Sequence, residues 1–176
     1  MNAPALASPT TLQEPAMRGD DNHPGAAPRV PARLLEFDRN RHVALAVHAT
    51  LEIIEQPEIV GVPGAAYYML GMMRWQERHI AVLDLCTLLN AHPKAGAARL
   101  RYALVVAYQT APRLPLEYAA IAVVGLPQMM HIADESQCPL PTDSDLWPLI
   151  AVSCFEHRGR QVPIVDTGRL FGAYWG

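Results

Sequence analysis

One stretch of this chain occurs twice. RHIAVLDLCTLL, residues 78–89, lies over RQVPIVDTGRLF, residues 160–171, with the arginine and the aspartate kept and five further positions identical or swapped between apolar side chains. Asp84 and Asp166 stand 82 residues apart, and ALAV at 44–47 lies over AIAV at 120–123 at a spacing of 76. Two such matches in the same order point to a duplicated unit. Each copy carries an apolar run of strand type, a polar tip, a returning apolar run, and an aspartate placed to cap a short helix. A doubled five-strand unit predicts two small β-barrels related by a pseudo-twofold axis. Such barrels close their own edges and suit short strands with frequent turns.

The strands are assigned along the same lines. Leu34, Leu35 and Phe37 open the first, and Asp38-Arg39-Asn40-Arg41 makes a turn. His42–His48 and Thr50–Glu55 follow, the latter stopped by Pro57. Tyr67–Trp75 and His79–Leu83 form a hairpin with its tip at Gln76-Glu77-Arg78, leading into a helix over Leu85–Leu89. The second half runs Leu100–Tyr108, Glu117–Val124 and Met129–Ile132. A second hairpin then joins Leu149–His157 to Gln161–Val165 with its tip at Arg158-Gly159, and Asp166 opens a helix ending at Leu170-Phe171. The expected fold class is therefore all-β with short helices, with subdomains at about 33–99 and 100–172.

Residues 1–32 are different. They hold Pro4, Pro9, Pro15, Pro24, Pro28 and Pro31 with many alanines and few large apolar groups. Such a stretch buries too little surface to offset its ordering entropy, so it is read as a disordered tail. The rest is apolar: 51% of the chain is hydrophobic and only 18% charged. That is enough to fill a core and leave apolar surface for partners.

Net charge is −3 and Lys94 is the only lysine, which argues against nucleic-acid binding. No uninterrupted apolar run reaches membrane-span length, and no basic segment with an apolar core opens the chain, so a cytoplasmic location without membrane insertion is expected. Cys86, Cys138 and Cys154 are odd in number and widely spaced, which fits a reducing compartment better than a disulfide framework or a zinc site.

Between Thr50 and Leu89 a sequence of short motifs runs in order: Thr50-Leu51-Glu52-Ile53, Val62-Pro63-Gly64-Ala65-Ala66, Leu70-Gly71, Arg74-Trp75-Gln76-Glu77, and Ile80-Ala81-Val82-Leu83-Asp84-Leu85. In order and spacing this resembles the first subdomain of the CheW-like chemotaxis coupling proteins. Arg101–Phe171, with Val124-Gly125-Leu126, resembles the second, so the likeness covers about residues 33–172. The resemblance implies two five-stranded SH3-like barrels and a non-catalytic adaptor with no cofactor. Its partners would be a histidine kinase regulatory domain and a chemoreceptor's cytoplasmic tip; related members serve type IV pilus chemosensory systems. It also implies a partner-binding region at Glu52, Ile53, Gly71, Arg74, Trp75, Gln76 and Glu77. The family's Arg-Gly at the hairpin tip is Gln76-Glu77 here, which reverses the local charge, and the return-strand proline is Ala81. Receptor binding is therefore expected to be weakened. Trp75 and Trp147 are read as half-exposed interface anchors. The methionine pairs 72–73 and 129–130 are read as core fillers, with an adaptable contact surface as the alternative.

Other chemistries compete for the same residues. Val165-Asp166-Thr167-Gly168 looks like an aspartic-protease carboxylate motif, but that chemistry needs two carboxylates sharing a proton. The internal equivalent, Asp84, is followed by Leu85-Cys86. No catalytic residue is assigned, and an aspartic hydrolase using Asp166 stands as an alternative, as does a ligand-binding two-barrel sensor. The histidines are scattered, and no metal site is assigned.

Overall fold

The computed structural model describes residues 29–90 and 101–173. Its strands are β1 (Arg29–Asp38), β2 (Arg41–Ala46), β3 (Thr50–Glu55), β4 (Ile59–Val60), β5 (Met69–Trp75), β6 (Arg78–Leu83), β7 (Tyr102–Tyr108), β8 (Glu117–Val123), β9 (Gln128–Ala133), β10 (Ala151–His157) and β11 (Arg160–Val165). Three short α-helices accompany them: α1 (Leu85–Asn90), α2 (Trp147–Ile150) and α3 (Thr167–Gly172). The chain is mostly β, as its sequence predicts. Residues 1–28, most of the expected tail, lie outside the described residues. Residues 29–32 do not belong to a tail: they are the start of β1, paired with β9 from Arg29↔Ala133 to Ala32↔Met130. Pro31 lies beyond the last β1–β2 pair, Ala32↔Ala46, at a strand end where proline is tolerated.

The strands form two sheets, in the orders β10-β11-β2-β1-β9 and β3-β7-β8-β6-β5-β4. Leaving aside the two-residue β4, the second sheet repeats the plan of the first in reverse order. The duplication is thus borne out in three dimensions as two barrel-like subdomains, but these are not the chain halves 33–99 and 100–172. Each sheet takes a hairpin and an edge strand from one half and an antiparallel pair from the other. Four pairings make the exchange: the parallel contacts Ile164↔Ala44 with Val165↔Leu45 and Val82↔Ala120 with Leu83↔Ile121, and the antiparallel pairs β1–β9 and β3–β7.

The equivalence extends to single hydrogen bonds. Asp84 N–H donates to the Tyr68 carbonyl at 2.8 Å, and Asp166 N–H donates to the Ile150 carbonyl at 2.9 Å. Both hairpins carry a bulge at the same place, between Met69 and Gly71 and between Ala151 and Ser153.

The central strands are buried on both faces, which explains their near-continuous apolar runs. Their branched side chains, including Leu35, Val43, Leu45, Leu104, Val106 and Ile121, meet between the sheets in one large core with α1 and α3. Their alternate residues point into the barrels, where space is narrow. Ala32 and Ala44 line one interior, and Ala103, Ala120 and Ala122 line the other. The ALAV and AIAV segments are the sequence trace of that division, small side chains inside a barrel and large ones outside.

Candidate partner-binding surface

The first hairpin carries most of the residues expected at the partner-binding region. Strand β5 alternates, with Gly71, Met73 and Trp75 buried, Met72 half-buried and Arg74 exposed. At the tip, Gln76 and Glu77 both adopt left-handed backbone, with φ of 43° and 61°. Two positive φ values in a two-residue loop are what the twist of a hairpin demands, and glycine or asparagine meets that demand with less strain. The equivalent tip of the second hairpin does so with Arg158 and Gly159, at φ of 52° and 73°. Arg74 Nη2 reaches both carboxylate oxygens of Glu77 at 3.0 Å. Both side chains are largely exposed, so solvent screens the pair and it adds little stability.

Trp75 does not present its ring to solvent: it is 7% exposed and packs with Met73, Ile80 and Val82 inside the second barrel. Trp147 is 1% exposed and belongs to the central core. Both were expected as half-exposed anchors, and both are core residues. The reason is that each indole N–H has an acceptor at the barrel margin, so the ring can be buried without an unsatisfied donor. Trp75 Nε1 donates to Glu52 Oε2 at 2.7 Å, and Trp147 Nε1 to Asp143 Oδ1 at 2.7 Å. The Glu52–Trp75 bond links β3 to β5, so it holds together strands that are far apart in the order of the sheet.

The remaining expected residues divide in the same way. Ile53 is half-buried against the central core. Gly71 is fixed by packing: at φ 142°, a Cβ there would lie 2.1 Å from the Val60 carbonyl oxygen. Its smallness lets β4 approach β5. The exposed members, Glu52, Arg74, Gln76 and Glu77, cluster around the tip. The methionine pairs split: Met73 is buried while Met129 is exposed.

Sequence reasoning missed what lies beside the tip. An open groove of about 630 Å³ is lined by Pro57, Val60, Val62, Met72, Arg74 and His79, among others. Val60 is 71% exposed and Val62 is also exposed, so the groove has an apolar wall facing solvent. Tyr118 was missed too; its ring stands 5.2 Å from that of Trp75, with the Arg78 guanidinium 5.2 Å from its centre. The signal for the groove was weak, a single Ile-Val pair after Pro57.

The aspartates of the repeat serve as helix caps. Asp84 Oδ1 accepts from the Cys86 and Thr87 N–H groups, and Asp84 Oδ2 from the Thr87 hydroxyl at 2.6 Å. Asp166 Oδ1 accepts from Arg169 N–H at 2.8 Å. The rest of the protease-like motif also has structural duties. The Thr167 hydroxyl donates to the Ala107 carbonyl, and a Cβ at Gly168 would lie 2.5 Å from the Gln109 carbonyl oxygen. Among the described residues, no group of three or more His, Cys, Asp or Glu side chains is placed to hold a metal. None of the described helices is long and apolar enough to cross a membrane.

The family model for the CheW-like domain matches residues 35–173, from the first core strand to the end of α3. The chain belongs to the CheW-like domain family. A solved CheW structure agrees on the fold: the scaffolding protein TtCheW from Thermoanaerobacter tengcongensis superimposes with a TM-score of 0.67 at 14% identity, over 88% of this chain and 96% of that one. At that identity the likeness speaks for the fold alone. A comparison with curated protein sequences gives no match. Within the CheW-like fold, the Gln76-Glu77 tip, the groove beside it and the buried Trp75 are features of this chain's own geometry.

Proposed function

We propose that this chain is a cytoplasmic, non-catalytic chemosensory adaptor that binds a histidine kinase regulatory domain and only weakly a chemoreceptor's cytoplasmic tip. The observation that carries the reading is the match to the CheW-like domain over residues 35–173, which leaves no second folded domain among the described residues. The geometry supports a protein partner over a small ligand. Both barrel interiors are filled by side chains, and the groove beside the first hairpin is an open, partly apolar surface bounded by charged residues. The aspartates that suggest a hydrolase cap their own helices.

The contact region of this reading is the first hairpin tip with the groove: Glu52, Arg74, Gln76, Glu77, Val60 and Met72. Ile53, Gly71 and Trp75 support it from beneath. The tip lacks the arginine that the family resemblance would supply for a receptor, so kinase binding is the stronger activity.

The test is titration of the full chain with a receptor cytoplasmic fragment and, separately, with the kinase regulatory domain. Exchanging Gln76→Arg together with Glu77→Gly should strengthen receptor binding. A charge-assisted hydrogen bond is worth about 1.5–3 kcal/mol, about tenfold or more in affinity. Glycine at the second position also removes backbone strain. Tight receptor binding by the unaltered chain, or no binding to any kinase domain, overturns the proposal. Whether the kinase retained from lysate belongs to a flagellar or a type IV pilus pathway then identifies the system.

A further inference from the structure

Two of the three cysteines face one another where the five-stranded sheet closes on itself. Its end strands are β9 and β10, and the segment that follows β9 meets β10 in the isolated antiparallel bridge Gln137↔Phe155. One step along, Cys138 lies opposite Cys154: the Cys138 N–H donates to the Cys154 carbonyl at 3.0 Å, and the two Sγ atoms stand 3.4 Å apart. From 3.4 Å, small side-chain rotations bring the two sulfurs to the roughly 2.05 Å of a disulfide bond. Both cysteines are free thiols. From the facing geometry we infer that Cys138 and Cys154 are a modification site, a dithiol that a peroxide oxidises to a reversible disulfide.

The site has an entrance and a division of labour. A cavity of about 370 Å³, lined by Ile132, Asp134, Gln137, Ser153 and Phe155 among others, reaches the Cys154 side of the pair, while Cys138 lies at the partly exposed side. Cys138 is half-buried and Cys154 buried, so Cys138 is the sulfur an oxidant reaches. Burial, with the Cys138 thiol beside it, pushes the Cys154 thiol up to about 12, so Cys154 is seldom the thiolate that attacks first.

The Cys138 thiolate therefore attacks the peroxide O–O bond, giving a sulfenic acid and one water after proton transfer. Cys154 sulfur then attacks the sulfenic sulfur, the S–S bond forms, and the hydroxyl leaves as a second water. Two thiols lose two electrons and two protons, and one peroxide becomes two waters. A dithiol reductant reopens the bond by thiol–disulfide exchange. Oxidation would add a covalent staple, beside the Gln137↔Phe155 bridge and the Cys138–Cys154 hydrogen bond, at the base of the connection that carries α2 and Trp147.

The experiment uses the full chain treated with excess hydrogen peroxide, then assayed by thiol titration in denaturant, peptide mapping and thermal unfolding. The three thiols of the chain should fall to one, and a linked Cys138–Cys154 peptide should appear at about 2 Da below the sum of its parts. The melting temperature should rise by about 5 °C. Dithiothreitol should restore all three thiols. Cys86→Ser should leave the linkage intact, while Cys138→Ser and Cys154→Ser should abolish both it and the thermal shift. Survival of all three thiols, a linkage through Cys86 or between two molecules, or Cys138 stopping at a sulfinic acid would overturn the inference. None of these readouts depends on the adaptor function.

Discussion

Trp75 separates the folding role of the hairpin from its binding role. The ring is 7% exposed, packs on Met73, Ile80 and Tyr118, and donates its N–H to Glu52 at 2.7 Å. Trp75→Ala removes a buried aromatic from a close-packed barrel, a change that costs about 3–5 kcal/mol. Trp75→Phe keeps most of the ring and removes the donor. Glu52 is an exposed residue, so water replaces the lost N–H at its carboxylate. The hydrogen-bond part of the loss should then be about 1.5 kcal/mol, the low end for a bond to a charged group. With the smaller ring added, Trp75→Phe should cost about 2 kcal/mol in total. Urea unfolding followed by far-ultraviolet circular dichroism measures both, and titration with the kinase regulatory domain measures binding by the folded fraction. Stability should fall in the order wild type, Phe, Ala, with affinity for the kinase domain unchanged in Trp75→Phe. If Trp75→Phe kept wild-type stability and lost tenfold or more in affinity, the ring would be touching the partner and its placement in the core would be wrong.

Three other outcomes follow from single contacts. Gly71→Ala should destabilise by about 3 kcal/mol or more in a denaturant titration, because its Cβ would meet the Val60 carbonyl and its φ of 142° strains any other residue. Gly61→Ala, with nothing within 4 Å, should change stability by less than about 1 kcal/mol. Asp166→Ala should cost about 1 kcal/mol by urea unfolding through loss of the α3 cap, and Asp166→Asn much less, with partner binding intact in both. Burial raises the Tyr108 hydroxyl from 10.0 to about 12, and its hydrogen bond to Glu117 adds to the effect. The folded state therefore keeps this proton after the unfolded chain has released it. The contribution is whole below pH 10 and is lost as pH rises toward 12. Urea midpoints measured across that interval should fall more steeply for wild type than for Tyr108→Phe.

The sequence by itself determined what is local and repeated. The 78–89 and 160–171 match located both hairpins, both aspartate caps and the pseudo-symmetry, because turn chemistry and capping are decided within a few residues. The apolar runs at 44–47 and 120–123 marked strands buried on two sides. Which strand pairs with which was decided only in three dimensions. A strand's pattern shows its faces and not its neighbours, and the parallel contacts Val165↔Leu45 and Leu83↔Ile121 exchange strands between halves. That is why the subdomain boundary near residue 100 is absent from the fold. Strand β5 reads MLGMMRW, apolar at nearly every position, so its alternation could not say which way Trp75 points. Burial followed from an acceptor on β3, Glu52, 23 residues away. The groove depends on a two-residue strand too short to leave a pattern, and on the absence of a Cβ at Gly71. The facing of Cys138 and Cys154 was equally invisible, because it arises from the closure of a sheet whose ends meet only after the whole barrel has curled.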